Sequence, residues 1–237
     1  MDVVRVEVTP KIGNGMRDAR GDLVKRQLLV DSGISADKVR SIVGFLVNSD
    51  ISEDLINQRA DDLFADPIIE HSLTNQTFLQ EKAIYDTTPD AVISVGFKPG
   101  VTDNPGKAAL DGFFTIFPEA RRDSDISTYI TYVFYGVNGQ TTPEFIASKL
   151  YNNLIERAVI SDADMCQAGD WPMIEYPAKP PQEFKEPAHI DLEISDDELI
   201  EISDEAKKEE FKVFSDPAKN DGSRVVALKV DGGNKLT

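Results

Sequence analysis

The residues best placed for chemistry form one short run, Lys98-Pro99-Gly100-Val101-Thr102-Asp103-Asn104-Pro105-Gly106-Lys107, between an apolar stretch (91–97) and an amphipathic one (108–117). A glycine-rich loop that opens a helix has the form of a phosphate cradle, because the first N–H groups of a helix are unsatisfied and its dipole favours an anion. The run has neither the G-x-x-x-x-G-K-[ST] nor the G-x-G-x-x-G spacing. A tight loop whose glycines meet backbone demands is the better reading. Asp103 and, earlier, Asp18 are candidate catalytic carboxylates, yet helix capping is the commoner task of Asp at that place. His71 and His189 are the only imidazoles, far apart and without Cys or carboxylates at metal spacing, which argues against a zinc site. The single cysteine, Cys166, carries no signature of a nucleophile and permits no internal disulfide. A stand-alone enzyme using Lys98 and Asp103 would lack a base–nucleophile set.

The elements around these residues repeat. Lys11-Ile12-Gly13 precedes Asp18-Ala19-Arg20-Gly21 in the same setting as the Lys98 run, with an apolar stretch before and a helical one after. Lys11 and Lys98 lie 87 positions apart, and Glu70 and Glu156 lie 86 apart, so both ends of one unit recur together. In the first unit Val4, Val6 and Val8 alternate as a strand. A helix over 20–30 follows, with Asp18 as cap and Leu23, Val24, Leu28 and Val30 as its apolar face. A long strand spans 39–47, where Gly44 suggests a bulge or bend. Ser52 caps a second helix with Leu55, Ile56, Leu63 and Phe64, and a strand returns over 68–73. Residues 77–85 suggest one strand more. The second unit reads as strand 92–97, the Lys98 loop, a helix, strand 126–135, a helix opened by Thr142-Pro143 with Phe145, Ile146, Leu150, Leu154 and Ile155 on its face, and strand 155–160.

This pattern predicts an α+β chain in three parts. Residues 1–86 and 87–160 are two ferredoxin-like units, each an antiparallel sheet with two helices on one face, paired as a pseudo-dimer. Neither side of strand 126–135 is charged, so the expected pairing is sheet stacked on sheet. Residues 161–237 form a Pro-rich acidic linker with short strand and helix segments, including a strand over 189–194, a helix from Ser195 toward Phe211 and a strand over 225–230. Nine Lys/Arg stand against 19 Asp/Glu there.

A net charge of −17 and pI near 4.5 argue against binding nucleic acid or an anionic membrane. With no signal peptide, no long apolar run and one cysteine, a cytoplasmic location is expected.

Several runs also resemble a known family. Residues 98–106 resemble the K-P-G-V-x-D-x-x-G loop that follows the first strand of PurS-type small subunits of phosphoribosylformylglycinamidine (FGAM) synthase. Residues 39–47 resemble that family's V-x-x-V-R-x-G-K-x-I-x-L strand, with Gly44 in the glycine place. Residues 65–70 are similar to its L-x-N-P-V-I-E closing motif. The second unit keeps Leu154-Ile155-Glu156 but has Asn152-Asn153 and no proline, and the first loop is two residues longer. The resemblance covers residues 3–160. Residues 192–202 look like the start of the segment that leads to the synthetase core of long, single-chain FGAM synthases.

The resemblance implies a non-catalytic assembly and ammonia-transfer module of a glutamine- and ATP-dependent C–N ligase in purine biosynthesis. Its partners would be the glutaminase and synthetase subunits or domains, with self-association left open. No cofactor belongs to this chain; ATP and Mg2+ would belong to the synthetase, and no metal site is expected here. The partner-facing loop residues would be Lys98, Gly100, Asp103 and Gly106 with Lys11, Gly13, Asp18 and Gly21, and the closing motifs Pro67, Glu70 and Glu156. The alternative from the residues alone is a ferredoxin-like regulatory module that holds a small molecule between the two copies near the glycine loops.

Overall fold

The computed structural model describes residues 3–13, 16–81, 87–138 and 141–178, with the backbone of 230–231 and 235–236. The chain divides into Met1–Gln182 and Glu183–Thr237. In the second unit β7 (Val230–Asp231) and β8 (Lys235–Leu236) pair antiparallel. The remaining expectations for the tail, the strand at 189–194, the helix from Ser195 and most of the strand at 225–230, lie outside the described residues.

The first unit is an α+β fold on a single six-stranded antiparallel sheet. Its elements are β1 (Val4–Pro10), α1 (Ala19–Ser32), β2 (Lys38–Asn48), α2 (Glu53–Phe64), β3 (Glu70–Thr74), β4 (Ala91–Phe97), α3 (Asn104–Ile116), β5 (Asp125–Tyr135), α4 (Pro143–Ala147), β6 (Glu156–Asp162) and α5 (Ala163–Ala168). The strand order is β3-β1-β2-β5-β4-β6. Each half thus contributes a three-stranded β-α-β-α-β unit. Within it, the second helix connects two mutually parallel strands that flank the first strand.

The expected stacking of two sheets does not occur. β2 and β5 pair instead along their whole length, from Lys38 opposite Tyr135 to Asn48 opposite Asp125. Each unit alone would leave an 11-residue edge of unpaired N–H and C=O groups, and joining the edges satisfies both rows.

The helices then cross the seam. Val24 and Leu28 of α1 share a core with Val39 of their own half and with Ala91, Ile93, Tyr132, Phe134 and Ile146 of the other. In mirror fashion, Phe113 and Phe117 of α3 share a core with Val4, Val6, Val8, Ile56 and Phe64 of the first half. Neither half owns a complete core.

The opposite sheet face is covered by the chain itself. Phe78–Gln80 forms one turn of 3-10 helix rather than the expected strand, and its Phe78 and Leu79 cover Ile42 and Val133; residues 82–86 lie outside the described set. α5 and the extended residues 169–178 continue that cover, burying Cys166 and Ile174 against Val92, Leu46 and Tyr129. Residues 161–178 therefore pack on the sheet, although composition begins to shift at 161.

Several local expectations change. Leu55 and Phe145, expected on the apolar faces of α2 and α4, are exposed. Leu23 and Val30 are exposed, because α1 carries apolar residues on more than one face and only Val24 and Leu28 meet the sheet. Gly44 lies in regular register, with no bulge. α4 is a single short turn and a half, so Leu150 reaches the core from beyond its end while Leu154 and Ile155 stay exposed.

Candidate functional site

Each half places its candidate residues in the same constellation, where the first strand ends beside the start of the last. In the first half the Lys11 N–H donates to Ile69 O (2.8 Å) and its Nζ to Pro67 O. In the second, the Lys98 N–H donates to Ile155 O (2.9 Å) and its Nζ to Asn153 O. The closing glutamates work alike. Glu70 Oε2 accepts the Asp66 N–H (2.8 Å), and Glu156 Oε2 accepts the Asn152 N–H (2.7 Å). Pro67 and Asn153 therefore hold equivalent places, and the missing proline of the second copy leaves the turn intact.

The two aspartates are caps and strand ties. Asp18 accepts from Gly21 N (2.7 Å), Ser41 N (2.5 Å) and Ser41 Oγ (2.8 Å). Asp103 accepts from Gly106 N (2.7 Å), Thr128 N (2.5 Å) and Thr128 Oγ1 (3.0 Å). A Cβ on Gly21 or Gly106 would lie 2.3 Å from the carbonyl oxygen of Val39 or Ile126, so each helix seats against its strand only through glycine. Gly13 and Gly100 hold positive φ (123° and 85°) in the loops themselves.

These bonds decide what the loops can do chemically. One first-turn N–H of each helix, that of Gly21 or Gly106, already holds the chain's own carboxylate rather than a phosphate. Each aspartate accepts from three donors of the chain itself, and both lysines are tied to a turn carbonyl. A cleft of about 390 Å3 lies at the first loop, lined by Lys11, Arg17, Arg20, Val8, Val43 and Ile69. The second loop borders a smaller one of about 210 Å3.

His71 is exposed on β3, and His189 lies outside the described residues. Burial pushes the Cys166 thiol up to about 11, with Asp162 and Asp90 adding to the effect, so it stays protonated at neutral pH. Among the described residues no group of three or more His, Cys, Asp or Glu could hold a metal, and no helix is long and apolar enough to cross a membrane.

The polar cluster that sequence reasoning missed lies on the opposite sheet face. Tyr129 donates its hydroxyl proton to Glu7 Oε1 (2.9 Å) and accepts from Arg5 Nη1 (2.9 Å). Arg5 Nη2 donates to Ile174 O (3.0 Å), and Glu7 Oε2 accepts the Phe78 N–H (3.0 Å). The relay thus ties both covering segments to the sheet. A cavity of about 710 Å3 borders it and is lined by Arg5, Asn75, Gln80, Trp171 and Glu175 among others. In the sequence Arg5 and Glu7 simply alternate with valines, the pattern of a solvated strand face, so nothing distinguished them.

Burial pushes the Glu7 carboxyl above its ordinary 4.5, against the pull of the Phe78 N–H, the Tyr129 hydroxyl, Thr77 and Arg5. A carboxyl raised in the folded state binds its proton more tightly there than in the unfolded chain. Its contribution to stability is complete below pH 4.5 and is lost as pH rises through the folded value. Glu7→Gln, which cannot ionise, is expected to gain on the wild type as pH rises above 4.5, read from urea midpoints across a pH series. A gap that does not change with pH would mean that the carboxylate is as well solvated folded as unfolded.

No family model matches the chain.

Proposed function

We propose that this chain is a tandem PurS-like module of FGAM synthase, a non-catalytic piece that bridges the glutaminase and the ATP-dependent synthetase and helps enclose the path of ammonia between them. In this reading each β-α-β-α-β half is one PurS-like, ferredoxin-related unit, and the pair is a pseudo-dimer built into one chain. ATP and Mg2+ sit on the synthetase, and the module works in the cytoplasm.

One observation carries the proposal. The motifs that resemble the family, the Lys–Gly–Asp–Gly loop and the closing Ile–Glu turn, recur with the same hydrogen bonds in both halves. In both, every titratable member is spent on holding the loop, which suits a docking scaffold and leaves nothing for bond-making. In size-exclusion chromatography the chain is expected to co-elute with the purified glutaminase and synthetase of FGAM synthase. Separate elution of all three would contradict the bridging role.

The cleft of about 390 Å3 at the first loop favours a second reading, a small-molecule-sensing regulatory module. That reading expects a rise in melting temperature when nucleotides or amino acids are added; flat melting curves across the panel would remove it.

A further inference from the structure

The two halves act as an internal comparison, because each surface position in one has a counterpart in the other. Most exposed positions around the loops have diverged. With the caps Asp18 and Asp103 aligned, Arg17, Arg20 and Asp22 correspond to Thr102, Pro105 and Lys107. The exposed Leu23 and Val30 of α1 correspond to Ala108 and Thr115, so that apolar face exists in one copy only.

Two exposed apolar features recur: Leu55 and Phe145, each the third residue after its N-cap in α2 and α4, and an aliphatic pair on each closing turn. Ile68 and Ile69 are 78% and 48% exposed, and their counterparts Leu154 and Ile155 are 74% and 42% exposed. Both pairs ride on the same turn. Its first polar residue accepts the N–H of the exposed aliphatic (Asp66 Oδ1 from Ile68 N, 2.9 Å; Asn152 Oδ1 from Leu154 N, 3.0 Å), and the lysine and glutamate already described clamp its ends. A single exposed aliphatic is ordinary. Here the turn is braced by six bonds that recur in both halves, while the side chains it displays belong to none of the core clusters.

The places of the two turns are fixed by the sheet. β1 and β4 run in opposite directions, since β1, β2, β5 and β4 are successively antiparallel. Each turn leads into an outermost strand, β3 or β6. The two apolar pairs therefore stand at diagonally opposite corners, about 24 Å apart across six strands before any offset along them. One small socket cannot engage both.

We infer that Ile68–Ile69 and Leu154–Ile155 are two docking knobs, each seated in an apolar socket on the basic surface of a separate protein partner. The charge selects the partner: a chain of net −17 repels its own copies and is drawn to cationic surfaces. This inference rests on the bridging role proposed above, and takes the glutaminase and the synthetase as the two partners.

The test measures binding of the full chain to each purified partner by biolayer interferometry, for the wild type, Ile68→Ser, Leu154→Ser and a Leu23→Ser control. All three substitutions are at exposed positions, and circular dichroism melts check that the fold is kept. Ile68→Ser is expected to weaken binding to one partner about tenfold and to spare the other, with Leu154→Ser doing the converse and Leu23→Ser changing neither. Tenfold is the size expected for withdrawing one aliphatic side chain from an interface. If both knob variants bind both partners as the wild type does, or weaken the same one, the knobs are overturned while the bridging role stands. If the wild type binds neither partner, both fail. Self-association of the wild type that either knob substitution abolishes would make a second copy the occupant and overturn the inference.

Discussion

Residues 1–86 and 87–178, expressed as separate chains, are expected to show no cooperative unfolding transition, although each carries a complete β-α-β-α-β pattern. The reason lies in the crossed helices. In the first half alone, Val4, Val6, Val8 and Ile56 would lose Phe113, Phe117 and Ile126. Val24 and Leu28 would lose Ile93, Tyr132, Phe134 and Ile146. Burial of one such side chain contributes about 1.5–3 kcal/mol, while a whole domain retains about 5–15 kcal/mol, so uncovering several exhausts the total. Each fragment would also expose the full edge of β2 or β5 and tend to aggregate through it. Circular dichroism melts of the fragments beside the intact chain decide this. A cooperative melt from either fragment alone would contradict the shared cores.

Gly44→Ala is expected to cost about 3 kcal/mol or more, a large loss for one methyl group on a strand. Gly44 lies opposite Tyr129 in the β2–β5 register, and a Cβ there would sit 2.0 Å from two atoms of the Tyr129 ring. The ring cannot swing aside cheaply. It is 2% exposed, and its hydroxyl is held by Glu7 and Arg5. Relief of the clash would break that relay and leave Glu7 Oε1 buried without its donor. The urea midpoint of the variant reads the loss directly. A midpoint equal to the wild type would show that the ring has another place to lie.

Much of the first unit was legible because its local chemistry is unambiguous. Asp18, Ser52, Asp103 and Thr142 all stand where N-caps were read, each accepting a backbone N–H of its first turn. The 86–87-residue spacing located both loops before any geometry was known. The join between the halves was not legible. Alternation along β2 and β5 states which residues share a face, and says nothing about which edge meets which. The uncharged strand 126–135 reads as awaiting a second sheet; the cover over its Val133 and Tyr129 is supplied by Phe78 and by Ile174 in a stretch without periodicity. The Arg5–Tyr129–Glu7 relay was hidden for the same reason, since Tyr129 lies 124 positions from Arg5 and 122 from Glu7, and only the β1–β2–β5 pairing brings them together. The spacing groups the loop residues of each half, and leaves their bonds to Ser41, Thr128 and the turn carbonyls unseen.

The most direct test of the central claim is the rate of amidine formation by purified glutaminase and synthetase, with glutamine or with free ammonia as nitrogen source, in the presence and absence of this chain. The glutamine-dependent rate is expected to depend on the chain, while the ammonia-dependent rate of the synthetase changes little. Equal glutamine-dependent rates with and without the chain would contradict it.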